Sequence, residues 1–208
     1  MKQQSRTIDA NDFYIGSADG WQIASALMTA ACGNNNGIYH HSIQVAALAG
    51  KIARAVGFSA AGQNAIFYAA YLHDIGNIGI PDSLFAKPDK LTAAEYEIIQ
   101  RHPANGYHIL KRLPVFGKQA AVVFCHHERY DGKGYPRGLA GRSIPVAAAV
   151  VAVAEAFAAM TGNRSYREPF PIAEAVREVQ RGSGSQFDPA VVSAFSSLFD
   201  RERRSKPS

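Results

Sequence analysis

The sequence predicts an all-α fold, and two observations carry that reading. Apolar residues recur at three- and four-residue steps almost throughout, while strand-like alternation is scarce. Gly, Pro, Asn and Asp gather in a few short stretches that separate the periodic segments. The 208 residues are 47% hydrophobic and 19% charged, the balance of a folded domain with a sizeable core.

Taken in order, the pattern predicts helices over 18–31, 40–56, 60–73, 92–112, 117–128, 145–161, 171–181 and 188–200. The loops between them are GNNNG (33–37), GNIGIPDSLFAKPDK (76–90), YDGKGYPRGLAGRS (130–143) and GNRSYREPF (162–170). Ser59 and Asp188 stand where N-caps are expected, and Thr92 with Glu95 has the spacing of a capping box. No repeat or linker divides the chain. The expected organisation is an N-terminal segment with a leading helix (1–35), one helical domain (36–200) and a basic tail (201–208).

Composition narrows the function classes. A net charge of +5 favours anionic partners, although part of it lies in the terminal RERRSKPS. Cys32 and Cys125 are the only cysteines, so no disulfide framework is implied. The longest apolar run, IPVAAAVVAVAEAFAAM, contains Glu155 and falls short of the roughly 20 apolar residues of a membrane span. The first residues lack the apolar core of a secretory signal. A cytoplasmic protein without membrane attachment is expected. No basic helix interleaved with aromatics marks a specific nucleic-acid binder.

The chemistry lies in the seven histidines, at 40, 41, 73, 102, 108, 126 and 127. Helical steps from His41 lead to Val45, Leu48, Ile52 and Val56, so His41 faces the core and His40 faces outward. Read alone, such a residue is more often a hydrogen-bonded core histidine than a ligand. His73-Asp74 closes an apolar stretch. A carboxylate at a helix C-terminus needs compensation, which either a bound cation or a His–Asp hydrogen bond supplies. Consecutive helical residues point about 100° apart, so His126 and His127 grip one metal only from a helix end or with both rings turned to one side. Glu155, flanked by Val151, Ala152, Ala158 and Ala159, favours a ligand over a neutral buried acid. His108 has no acidic companion and reads as structural.

The order H, HD, H, HH and a late acid resembles the HD-GYP family, bacterial all-helical metal-dependent phosphohydrolases that hydrolyse cyclic di-GMP. YLHDIGNIGIPDSLFAKPDKLTAAE is similar to its HD segment, RHPANGYHIL to the next histidine helix, and HHERYDGKGYPRGLAGRSIP to the GYP signature. SQFDPAVVSAF resembles its C-terminal helix. The resemblance implies two divalent metal ions, iron or manganese. His41, His73, Asp74 and Glu155 would surround one, and Asp74 would bridge to a second held by His102, His126 and His127. His73 and Asp74 would be the catalytic pair. Arg164, Arg167 and position 77 would face the phosphates of a cyclic dinucleotide. The GYP loop, through Lys133, Tyr135 and Arg137, would contact diguanylate cyclase (GGDEF) domains.

The departures from the pattern fall near the site. Asn77 stands where the family has lysine, Glu155 where it has aspartate, Ala158 where a second aspartate follows, and Gln44 where arginine is common. A third metal would need a glutamate at Gly37, so at most two are expected. Two readings follow: a two-metal phosphodiesterase acting on cyclic di-GMP or a related dinucleotide, or a module that has lost catalysis and acts through metal, nucleotide or protein contacts.

Overall fold

The computed structural model describes residues 18–32, 36–85, 87, 89–162 and 168–204. Among these residues the secondary structure is helical, with two isolated β-bridges, Asp131 to Ala140 and Ser183 to Phe187. The helices are α1 (Ala18–Cys32), α2 (Asn36–Val56), α3 (Ala60–Tyr71), α4 (Asp82–Phe85), α5 (Ala93–Ile99), α6 (His102–Leu110), α7 (Gly117–Cys125), α8 (Val146–Thr161), α9 (Ile172–Arg181) and α10 (Pro189–Arg204). Short 3-10 turns occupy Ile75–Gly79, Pro114–Phe116 and Gly141–Ser143.

The long α2 is the central element, packing against α3, α8 and α10, while α6 packs on α7 and on the 3-10 turn Ile75–Gly79. Val45, Ala49 and Ile52 of α2 meet Val150, Val153 and Ala154 of α8 in one core with Phe195 of α10, all fully buried. The alanine-rich α8 lets neighbouring backbones approach closely, which suits a helix covered on several sides. Helix α1 joins the same core: Ala24 and Met28 are buried, and Trp21 leans on the buried Tyr71 at 5.1 Å. No helix among the described residues is long and apolar enough to cross a membrane.

The three expected caps are present. Ser59 accepts from the Gly62 N–H, Asp188 accepts from Ala190 and Val191, and Thr92 with Glu95 forms a complete capping box.

The predicted helix 92–112 is two helices, α5 and α6, and proline is the reason. Pro103 lies in the first turn of α6 and has no N–H for the Ile99 carbonyl. The His102 ring takes that place, its Nδ1 donating to Ile99 O at 2.8 Å. The predicted helices 60–73 and 117–128 stop earlier, at Tyr71 and Cys125. His73, Asp74, His126 and His127 therefore stand in turns just beyond helix ends, free of the helical constraint on side-chain direction. Helix α2 begins at Asn36, ahead of the predicted residue 40, and α4 lies inside the predicted loop 76–90.

Candidate metal centre

Backbone interlock brings these turns together. A Cβ on Gly76 would fall 2.0 Å from the His102 carbonyl oxygen and 2.5 Å from Gly106 N. A Cβ on Gly106 would meet Val123 at 2.8 Å. Glycine at 76 and 106 thus lets the HD turn, α6 and α7 touch, which sets Asp74 beside His102 and His126.

Three rings are oriented by one device. Nδ1 of His73 donates to Ala70 O at 2.7 Å, that of His102 to Ile99 O at 2.8 Å, and that of His126 to Val123 O at 2.6 Å. Each carbonyl lies three residues upstream, at the end of a helix where its usual partner is missing. The bond ties each Nδ1–H to the backbone and aims Nε2 into the centre. On His102 and His126 that nitrogen is a bare lone pair; on His73 the adjacent Asp74 keeps it protonated until a cation displaces the proton.

Two groups of donor atoms result. His41, His73 and Asp74 form one, and His102, His126 and His127 the other, with the potential ligand atoms in each within 4.8 Å of one another. Asp74 stands between them: Oδ2 is 3.3 Å from His73 Nε2, and Oδ1 is 3.4 Å from His102 Nε2. In the second group, His102 Nε2 lies 3.2 Å from His126 Nε2 and 3.1 Å from His127 Nε2. His41 is half-buried and His40 exposed, in line with the predicted faces of α2.

The charge states agree with this geometry. Burial and the neighbouring His127 push His126 well below 6.5, and burial with His102 pushes His127 down to about 3. His102 is lowered by burial as well. Two neutral rings whose Nδ1 atoms both donate elsewhere turn lone pairs toward each other across 3.2 Å, an arrangement that a cation makes favourable. Burial works against a proton on His73, but the adjacent Asp74 outweighs it and raises His73 from 6.5 to about 9. Burial likewise opposes ionisation of Asp74, yet His73 holds its carboxyl well below the usual range. His73 Nε2 is buried without a hydrogen bond, its 3.3 Å approach to Asp74 being a charge contact. The residues present therefore fit divalent cations, with mixed imidazole and carboxylate donors.

The structure departs from the expected arrangement at two points. Glu155 is absent from the first group; its Oε2 lies 4.0 Å from His127 Nδ1, and its charge is also felt at His73. From the middle of α8 the carboxylate reaches the wall of the second group. Tyr135, expected on an exposed contact loop, turns inward. Its ring stacks on His127 with centroids 4.7 Å apart and planes at 25°. Gly134 is the cause, since a Cβ there would sit 2.3 Å from Arg129 N and 2.5 Å from His127 O. Asn77 is half-buried with its Oδ1 unpaired. Lys133 and Arg137 are exposed, and Arg164 and Arg167 lie outside the described residues.

A cleft of about 460 Å³ opens over the second group, lined by His126, His127, Tyr135, Arg129, Lys133 and Glu155 among others. Glu128 shapes its rim and was missed from sequence. Buried at 3% exposure, its carboxylate accepts from Arg137 N at 2.8 Å and Leu139 N at 2.9 Å, folding the GYP loop back on the histidines. Arg129 was missed too; it pairs with Asp131 through two hydrogen bonds of 3.1 and 2.8 Å. Nothing in the spacing of either residue marks it, because both partners sit in an irregular loop.

The model of the family described as HD domain matches residues 25–191. The chain belongs to the HD domain family. It is 45% identical to a cyclic di-GMP phosphodiesterase of Thermotoga maritima, over 77% of this chain and 44% of the relative. It is 42% identical to a cyclic di-GMP phosphodiesterase response regulator of Xanthomonas campestris, over 71% of this chain and 39% of that one. A 3'3'-cGAMP-specific phosphodiesterase of Vibrio cholerae matches at 36% over 73% of this chain and 30% of the relative. The chain thus spans less than half the length of these relatives. Among solved structures, an HD-GYP protein of Bdellovibrio bacteriovorus shares the fold with a TM-score of 0.64 at 21% identity, over 86% of this chain and 57% of that one. The HD domain of an L. monocytogenes phosphodiesterase in complex with cyclic-di-AMP does so at 0.59 and 19%, over 88% and 99%.

Proposed function

We propose that this HD domain is a two-metal phosphodiesterase that opens a cyclic dinucleotide, cyclic di-GMP in the first instance. The observation that carries the reading is Asp74, whose two carboxylate oxygens face one histidine each from two separate groups. His41, His73 and Asp74 would hold one cation, and Asp74 with His102, His126 and His127 the other; iron and manganese suit this donor set. When bound, such ions polarise a phosphoryl oxygen and generate a nucleophile from water at neutral pH. The chain's own groups do the positioning. Tied Nδ1 atoms keep the imidazoles in place, the cleft admits the diester, and Lys133, with an uncharged Asn77 in the HD turn, sets how much phosphate charge is met. Arg164 and Arg167 are proposed as further phosphate contacts, and exposed Lys133 and Arg137 as the contact to a diguanylate cyclase domain.

The test is metal content followed by turnover of cyclic di-GMP with added iron or manganese. About two equivalents per chain with turnover, and loss of both metal and turnover in His126→Ala, is the expected result. A chain that takes up no metal on reconstitution ends the reading.

One observation favours the second reading, a module that has lost catalysis. Asn77, half-buried in the HD turn, brings no charge to the site. Two metals without turnover, with turnover gained by Asn77→Lys combined with Glu155→Asp, would decide for it.

A further inference from the structure

Helix α5 offers the cleft something the metal groups do not use. Tyr96 and Gln100 are one turn apart, at positions i and i+4, so they share a face, and both line the cleft. Tyr96 is 48% exposed, but it borders a concavity rather than open surface. Its helix is fixed in place: the capping box holds the first turn, and Lys87 Nζ pairs with both Glu95 oxygens at 2.8 and 2.6 Å. The neighbouring Tyr96 is therefore presented from a rigid support. Tyr135, stacked on His127, lines the same cleft. The cleft volume, about 460 Å³, is that of a small-molecule site.

We propose that Tyr96 and Gln100 form a purine subsite, the ring stacking on one base of the dinucleotide and the amide hydrogen-bonding its edge. This rests on the phosphodiesterase reading and adds what selects the substrate. Stacking suits any base, because every base has a π-face. The amide carries a donor and an acceptor, which match the N6/N7 edge of adenine and the O6/N1–H edge of guanine alike. Gln100 thus orients a purine on the Tyr96 ring, adenine or guanine, and distinguishes a dinucleotide from a diester that carries no base.

The experiment compares the metal-loaded protein with its Tyr96→Ala, Tyr96→Phe and Gln100→Ala variants on three diesters: cyclic di-GMP, 3'3'-cGAMP and bis(4-nitrophenyl) phosphate. Tyr96→Ala is expected to lower kcat/KM on the dinucleotides roughly 10-fold more than on the small diester, mainly through KM. Tyr96→Phe keeps the ring and recovers most of that loss. Gln100→Ala is expected to lose on 3'3'-cGAMP and cyclic di-GMP alike, and more on both than on the small diester. Equal losses on small and large diesters, or none, overturn the subsite. Calorimetric binding of the two dinucleotides separates this idea from the one beneath it. If the native protein turns over no diester, weaker dinucleotide binding in Tyr96→Ala still upholds the subsite while phosphodiesterase activity falls; binding unchanged in both alanine variants overturns the subsite alone.

Discussion

Two turns carry the chemistry of this molecule, and they are built in opposite ways. The HD turn, from His73 to Ile80, is held by backbone contact: Gly76 lies against the His102 carbonyl with no room for a side chain. The GYP loop, from Glu128 to Gly141, is held by a side chain, the buried Glu128 carboxylate accepting from two loop amides. The first turn supplies the group that joins the two donor sets, Asp74. The second, although its motif is the more recognisable, supplies support, with Gly134 permitting close approach and Tyr135 stacking on His127. A signature that stands out in sequence can therefore be mostly scaffold, while the chemistry depends on a less distinctive turn.

The comparison breaks first at Gly76. Gly76→Ala places a Cβ against backbone on two sides, which no rotamer change relieves. It is expected to cost about 3 kcal/mol or more, at the upper end of overpacking effects, and to separate Asp74 from His102. Chemical denaturation with metal analysis checks this. A variant with native stability and metal content would mean that the interlock does not hold the HD turn.

Acid acts on the centre itself. In protein stripped with a chelator, His102, His126 and His127 remain neutral when folded but protonate near 6.5 when unfolded. Depressed values give stability that is present above 6.5 and is lost as pH falls toward the folded values, about 3 for His127. Each such histidine contributes at most about 1.4 kcal/mol per pH unit. His73 has the opposite sign: raised to about 9, it stabilises below 6.5 and its contribution disappears as pH rises from 6.5 to 9. Thermal melts of the stripped protein are expected to show a steep loss of Tm below 6.5 and a shallower one above it. Added divalent metal should abolish the second by displacing the His73 proton. A flat melting profile across both limbs would contradict the assigned charge states.

The GYP loop yields more gently. Glu128→Gln keeps the shape but replaces one acceptor with a donor, leaving one of the Arg137 and Leu139 amides unmatched. A loss of about 1–3 kcal/mol is expected, together with weaker metal binding through His127. Metal content falling without any change in stability would show that the carboxylate acts on the metal rather than on the loop.

What was legible in the sequence follows the same division. Apolar period placed nearly every helix, and local chemistry placed the caps at Ser59, Thr92 and Asp188, because those features depend on residues a few positions apart. The histidines and Asp74 that the structure groups together were named through the resemblance, which rests on their order along the chain, a one-dimensional fact; the residues read singly left other roles open. The break at Pro103 was in plain view, yet the helical period on both sides of it suggested one helix; the ring of His102 completes the turn where the proline cannot. Glu128, Arg129 and the inward turn of Tyr135 were not legible. Each depends on the path of an irregular loop, which is set by contacts between distant backbones rather than by spacing. The position of Glu155 belongs to this class: its place on α8 could be read, but it is half-buried at the cleft, and which donor group it faces depends on how α8 lies against the GYP loop.

Lys133 provides the finest test of the division between scaffold and free surface. Its backbone N–H donates to Asp131 Oδ1 at 3.1 Å, so the main chain at this position helps shape the loop. Its side chain is exposed at the cleft and serves no such purpose. Lys133→Ala retains the N–H, so stability is expected to change by less than about 0.5 kcal/mol, as for surface substitutions generally. Metal content should be native. What should change is the salt dependence of binding to a dinucleotide or an acidic partner surface, because one cation is gone from the rim. If Tm drops by several degrees instead, the side chain is part of the scaffold, and the boundary between the loop's support and its binding surface lies beyond residue 133.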